Sequence, residues 1–199
     1  MRGRPNLIIF AKTPRLGHVK SRLAADIGLA QATRAYRSMV AALLRRLATG
    51  PAMRRYIFVA AAKDGDLGNW HPGFERRRQC HGDLGARMAD AFRQVPPGPT
   101  LLIGSDIPAI QSNHVRGALK RLKTADVVFG PAGDGGYWLV GFRHFRRTGC
   151  DFKNVRWSSV NALADSLACL PAHSKTALTD PLDDIDTGDD WRRWQQRRR

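Results

Sequence analysis

Residues 10–23 read Phe-Ala-Lys-Thr-Pro-Arg-Leu-Gly-His-Val-Lys-Ser-Arg-Leu, directly after the apolar run Leu7-Ile8-Ile9. Lys12, Arg15, Lys20 and Arg22 thus surround Pro14 and Gly17, two residues that let a backbone turn tightly and aim amide N–H groups at a ligand. Arginine can grip two phosphate oxygens at once. A helix beginning near Ser21 would add the positive end of its dipole. The chemistry this composition suits is the binding of phosphate. A solvated basic turn is the bland alternative, and neither a P-loop nor a G-x-G-x-x-G pattern follows this run.

Acids that could complement such a loop lie far away in the chain. Asp106 stands just past the apolar run Leu101-Leu102-Ile103-Gly104, with Ser105 between, stiffened by Pro108, where a carboxylate suits Mg²⁺ or Mn²⁺. It could also form a turn or cap a helix, and the rim position favours the metal role. Asp134-Gly135-Gly136 offers a second carboxylate beside backbone that a ligand can approach, and Asp-Gly between apolar runs is also a hairpin signal. In Asp180-Pro-Leu-Asp-Asp-Ile-Asp186, Asp184 and Asp186 alternate around Ile185 and would share one face of an extended segment. Asp186 is the preferred second metal ligand of the two. Arg87, one turn into a helix that Asp83 would cap, could reach a phosphate or ribose or could be an ordinary surface arginine.

The elements needed to position these residues alternate between strand and helix, as in an α/β fold with a mostly parallel central sheet. Strands are predicted over 7–11, 56–61, 100–104, 126–130 and 137–141. A helix carries Tyr36, Met39, Val40, Leu43 and Leu47 at helical spacing. Others are predicted over 84–94, ending at Pro96-Pro97-Gly98-Pro99, over 112–122, and from about Ser158 with Val160, Leu163 and Leu167 inward. A last helix starts at Thr187-Gly188-Asp189-Asp190, a capping-box pattern. In such a sheet ligands bind beyond the carboxyl ends of the strands, so the loops after residues 11, 104 and 130 converge on one rim.

With 199 residues, 43% hydrophobic and 25% charged, the chain fits one globular domain over 1–199. No apolar run approaches a membrane span, and no signal-peptide pattern opens the sequence, so a cytoplasmic location is expected. Cys80, Cys150 and Cys169 are scattered and form no metal-binding spacing. A net charge of +16 keeps nucleic acid in view as a partner, and a polyanion-binding protein as the alternative to an enzyme. The excess charge is spread along the chain, and no zinc-finger, RRM or KH pattern accompanies it. The Arg-rich end, Trp191 to Arg199, reads either as a polyanion tail or as a solvated helix terminus.

Taken together, the segments at 10–23, Gly-Asp-Leu-Gly-Ala-Arg-Met at 82–88, Gly-Ser-Asp-Ile-Pro at 104–108, Asp-Gly-Gly-Tyr at 134–137, Trp-Ser-Ser at 157–159 and Asp-Ile-Asp-Thr at 184–187 resemble one group. That group is the DUF2064 family of the nucleotide-diphospho-sugar transferase superfamily, which has a GT-A-like, Rossmann-like fold. The first segment is also similar to the opening of 2-phospholactate guanylyltransferases. The resemblance implies a transferase using a nucleoside triphosphate or nucleotide sugar, as a nucleotidyltransferase or a glycosyltransferase, with Mg²⁺ or Mn²⁺ held by Asp106 and Asp186. It further implies that Lys12, Lys20 and Arg22 stabilise the departing phosphate, and that Arg15, Gly17, Arg87, Asp134, Gly135 and Gly136 bind substrate. Metal-dependent glycosyltransferases of this fold carry Asp-x-Asp where Ser105-Asp106-Ile107 supplies one acid, so the residues lean slightly to nucleotidyl transfer.

Overall fold

The structure is a computed structural model describing residues 3–60 and 67–196. The chain opens with β1 (Asn6–Lys12), α1 (Ser21–Ile27), α2 (Leu29–Ala48), β2 (Arg54–Ala60) and β3 (Glu75–Arg78). It continues through α3 (Leu84–Gln94), β4 (Thr100–Gly104), α4 (Ser112–Arg121), β5 (Val127–Pro131) and β6 (Tyr137–Phe142). It ends with α5 (Phe145–Thr148), α6 (Ala162–Ala168), β7 (Thr176–Leu178) and α7 (Gly188–Gln196). The strands form one sheet in the order β3-β2-β1-β4-β6-β5-β7. Only the pairings of β6 with β4 and β5 are antiparallel; the others are parallel, as the alternation of elements predicts.

Helices cover both faces because the central strands are apolar on both. Leu7, Ile9 and Ala11 of β1 enter a core with Leu23 of α1, Tyr36, Met39 and Leu43 of α2, and Val115 of α4. Ile8 and Phe10 point to the opposite core, with Phe58, Met88 and Phe92. There Phe92, Phe142 and Phe145 pack with centroids 4.7 to 5.0 Å apart, a cluster worth several kcal/mol by area burial alone. Because β1, β4, β5 and β7 run in one direction, the segments that follow them all emerge on the same rim. That rim carries the predicted site residues.

Several expectations need correction. The helix predicted from Ser158 begins at Ala162, and Val160, expected inward, is 76% exposed. Residues 156–161 are instead held as a turn: Ser159 Oγ donates to the Arg156 carbonyl at 2.6 Å and accepts the Asn161 N–H at 3.2 Å. Leu163 and Leu167 do face the core. The edge strands β3 and β7 and the short α5 escape sequence reading because they lack apolar alternation or length. Ala61, the predicted end of the second strand, and the terminal Arg197-Arg198-Arg199 lie outside the described residues.

The Arg-rich C-terminal segment is largely a docked helix. Trp191 and Trp194 of α7 pack against the first core, while Arg192 and Arg193 pair with Asp189 and Asp190. No described helix is long and apolar enough to cross a membrane.

Candidate functional site

The loop after β1 folds back so that Lys20 sits at the entrance to α1. Gly17, at φ 76°, makes the turn that permits this. Lys20 itself adopts the left-handed conformation (φ 50°, ψ 53°), which costs a residue with a Cβ about 1–2 kcal/mol. Its carbonyl accepts the Ala24 N–H at 2.8 Å, the first bond of α1. Such strain persists where the surroundings over-determine a residue. Here the constraint is a set of three carboxylates.

Lys20 Nζ lies 2.7 Å from Asp106, 2.9 Å from Asp186 and 3.3 Å from Asp184, and its side chain is only 5% exposed. Arg22 adds a contact of 3.2 Å to the second oxygen of Asp186. One oxygen from each of Asp106, Asp184 and Asp186 falls within 4.8 Å of the others. The two C-terminal acids arrive together because Ile185 between them is buried in the core and donates its N–H to the Asp106 carbonyl at 3.2 Å. Burying that side chain contributes roughly 1.5–3 kcal/mol to holding the segment in place. Below it, the predicted capping box closes α7: Asp190 accepts the Thr187 N–H at 2.8 Å, and Thr187 Oγ1 accepts the Asp190 N–H at 3.2 Å. Asp190 also accepts the Asp186 N–H, so the helix start braces the acid directly.

Burial alone would lower the Lys20 pKa, but the charges of Asp106 and Asp184 and the hydrogen bonds to Asp106 and Asp186 outweigh it and leave it above its ordinary value. The ammonium is therefore fully charged. Asp184 moves the other way: burial, reinforced by Asp106 and Asp186 and only partly offset by Lys20, pushes its carboxyl up to about 6. One cation shared by three acids leaves a net negative centre. Three carboxylate oxygens at this spacing form a hard donor set that fits Mg²⁺ or Mn²⁺, provided the ammonium gives up part of its contact.

Two cavities meet at this centre. The larger, about 620 Å³, is lined by Lys12, Lys20, Arg22 and Arg87 together with the three acids, Tyr36 and Gln79. The smaller, about 240 Å³, is lined by Asp134, Gly136, Tyr137, Trp157 and Ser159 among others. Leu84, Gly104, Asp106, Ser158 and Asp184 belong to both and form the seam between them.

Most of the sequence-predicted residues therefore meet here, with three exceptions. Arg15 lines a separate cavity of about 570 Å³ with Arg37, Arg45 and Trp70. Gly17 acts through its turn. Gly135, at φ 82°, has its missing Cβ directed at the backbone of Val160, and its carbonyl accepts the Leu163 N–H at 3.0 Å, so it joins the hairpin tip to the 157–162 turn. The Asp134 carboxylate accepts the Gly136 N–H at 2.9 Å, so the hairpin reading and the rim position hold together. Arg87 reaches the larger cavity, with its Nε donating to the Gly82 carbonyl at 2.8 Å, and Asp83 caps α3 through the Ala86 N–H, as predicted.

The sequence pattern favours Asp186 over Asp184, yet both contact Lys20, and of these two acids Asp184 is the one that reaches both cavities. The pattern also assigns Tyr36 to the core alone. The Tyr36 hydroxyl in fact takes the Lys12 N–H at 2.9 Å and lies 3.0 Å from Ser105 Oγ, tying the end of β1 to the end of β4. Gln79 carried no signal at all; it donates to the Phe58 carbonyl at 2.9 Å and the Ala11 carbonyl at 3.4 Å.

Residues 43–159 match the family model described as "Uncharacterized protein conserved in bacteria (DUF2064)". None of the curated proteins matches the sequence. Among solved structures, the chain is similar to a "putative nucleotide-diphospho-sugar transferase" from Desulfovibrio desulfuricans G20, at 30% identity and TM-score 0.81, covering 92% of this chain and 82% of that one. The fold is also that of the 4-diphosphocytidyl-2C-methyl-D-erythritol synthase of Anaerococcus prevotii (9% identity, TM-score 0.66, covering 98% and 96%). It is likewise that of Rv0371C from Mycobacterium tuberculosis, solved in complex with manganese (13% identity, TM-score 0.57, covering 98% and 99%). Matched by the family model over more than half its length and carrying this architecture, the chain belongs to the DUF2064 family and to the transferases built on the nucleotide-diphospho-sugar transferase fold.

Proposed function

We propose that the protein is a metal-dependent transferase acting on a nucleoside triphosphate or nucleotide sugar, with nucleotidyl transfer the favoured reaction. The observation that carries this reading is the convergence of Lys20 with Asp106, Asp184 and Asp186 at the seam of two cavities, one of them rich in cations. A cavity of about 620 Å³ has room for a nucleotide, and Lys12, Lys20, Arg22 and Arg87 suit its phosphates. Asp106, Asp184 and Asp186 would hold Mg²⁺ or Mn²⁺, which when bound neutralises charge on the phosphate oxygens.

In this reading the donor lies in the larger cavity and the acceptor in the smaller. An acceptor hydroxyl attacks the α-phosphorus, the bond to the β-phosphate oxygen breaks, and pyrophosphate leaves with the bonding pair while the hydroxyl proton passes to solvent. Lys20, released from part of its carboxylate contact, and Arg22 carry the charge that builds on the leaving group. Removing one such stabiliser typically raises a barrier by ~3 kcal/mol. The lean to nucleotidyl transfer rests on the basic first loop and on the single acid in Ser105-Asp106-Ile107. The D. desulfuricans relative, by its description, keeps glycosyl transfer as the second reading.

Titrating the common nucleotides with and without Mg²⁺ or Mn²⁺, then analysing products from labelled donor, tests the assignment. Pyrophosphate release marks nucleotidyl transfer, and nucleoside diphosphate release marks glycosyl transfer. Polynucleotide binding that falls steeply with salt, survives Asp106→Ala and comes without mononucleotide binding would replace the enzyme reading with polyanion binding.

A further inference from the structure

We infer that the acceptor is a small, non-anionic, hydroxyl-bearing molecule of sugar or polyol type, bound in the 240 Å³ cavity beside the carboxylate centre. This inference rests on the transferase reading above. Its basis is the contrast between the two cavities. Every Lys and Arg at the site faces the larger one, whereas the charged residues lining the smaller are Asp106, Asp134 and Asp184, with no Lys, Arg or His among its described lining residues.

The nearest basic residue in sequence does not supply the missing charge. Arg156, beside Trp157, is held at the surface by Asp165, with Nε and Nη2 each 2.9 Å from a carboxylate oxygen. Lys20 neutralises part of the charge of Asp106 and Asp184 from the larger cavity's side, but an acceptor bearing phosphate or carboxylate would still meet three carboxylates and no Lys, Arg or His among the described lining of the smaller one. The donor's own phosphates across the seam would add to the repulsion. Hydroxyl groups are donors, and they match what the carboxylates require.

Shape and polarity agree with the charge. At about 240 Å³ the cavity falls below the usual range for drug-sized ligands and matches roughly the size of a single sugar ring. Tyr137 and Trp157 give it aromatic walls suited to the C–H faces of such a ring. The Tyr137 hydroxyl is already engaged 3.1 Å from Ser166 Oγ, so that residue contributes its ring. The Trp157 indole N–H is buried and has no hydrogen-bond partner among the described residues, so a polar group stands unpaired beside this cavity's wall.

Matched pairs of acceptors test the inference on the full chain: glycerol against glycerol 3-phosphate, and glucose against glucose 6-phosphate. Binding is read by saturation-transfer NMR with and without bound nucleotide, and turnover by pyrophosphate or nucleoside diphosphate release. The neutral member of each pair should bind and react with about tenfold or greater preference. Leu182→Arg, which places a cation in the cavity lining, should move that preference toward the phosphorylated member. Equal or better binding of the phosphorylated members by the unaltered protein overturns the inference, as does failure of both neutral members to bind. Nucleotide binding, measured separately, tells the two failures apart. If it is intact while anionic acceptors are preferred, only the acceptor class is wrong; if it is absent, the transferase reading fails, and the nucleotide-free binding data still decide the character of the cavity.

Discussion

Replacing Lys20 by methionine removes the ammonium shared by the three carboxylates while keeping a side chain of similar length. The left-handed backbone at this position is equally strained with either residue, so that cost cancels between the two proteins. Lost is a group 5% exposed with contacts of 2.7, 2.9 and 3.3 Å. Breaking a buried ion pair costs about 3–5 kcal/mol. The carboxylates here are 32 to 39% exposed, so water screens part of their repulsion, and Asp184, already pushed up to about 6, can take a proton. The expected loss is therefore roughly 2–3 kcal/mol, or about 5–10 °C in a domain of this size. Urea and thermal unfolding in EDTA at neutral pH measure it. Adding Mn²⁺ should restore more stability to Lys20→Met than it adds to the unaltered protein, because the ion no longer competes with an ammonium. Lys20→Arg should fall between the two. Unaltered stability of Lys20→Met in EDTA, or an identical Mn²⁺ effect on both proteins, would refute the idea that Lys20 neutralises the acid cluster.

Other perturbations probe other links. Asp106→Asn should leave circular dichroism intact but weaken metal-dependent nucleotide binding about tenfold or more, as read by calorimetry. Gly135→Ala combines φ 82° with a Cβ overlapping the Val160 backbone; it should cost about 2–4 kcal/mol in urea unfolding, and a neutral result would show that the hairpin tip is not fixed to the 157–162 turn. Phe142→Ala opens the aromatic cluster of the second core and should lose about 3–5 kcal/mol. For Asp190, burial would raise the carboxyl, but hydrogen bonds from the Thr187 hydroxyl and N–H, and from Arg193, outweigh it and bring it down to about 2. Its folded pKa lies below the unfolded value near 3.9, so its contribution is present above about pH 4 and is lost as pH falls through about 2. Acid titrations of stability should be shallower over that window in Asp190→Asn.

What could be read without coordinates was whatever local chemistry imposes. The continuous apolar run of residues 7–11, the helical spacing from Tyr36 to Leu47, the Pro-rich stop at 96–99 and the Thr187 cap each act over a few residues, and each appears as expected. The rim position of the loops was also legible, because the hand and direction of parallel strands constrain where their ends emerge. Glu75–Arg78 and Thr176–Leu178 were not legible as strands, since pairing with a neighbour, and not their own pattern, makes them extended.

At the site, sequence by itself determined the inventory: a basic turn after the first strand, an acid after the strand at 100–104, and two acids alternating around Ile185. Only tertiary structure decided that Lys20 stands among all three acids, that Asp184 belongs to both cavities, that Arg15 lines a separate cavity, and that every described Lys and Arg lining the two joined cavities belongs to the larger one. The physical reason is distance along the chain. Lys20 and Asp186 meet only because a buried isoleucine and a capped helix hold the last segment against a strand end that neither residue adjoins in sequence.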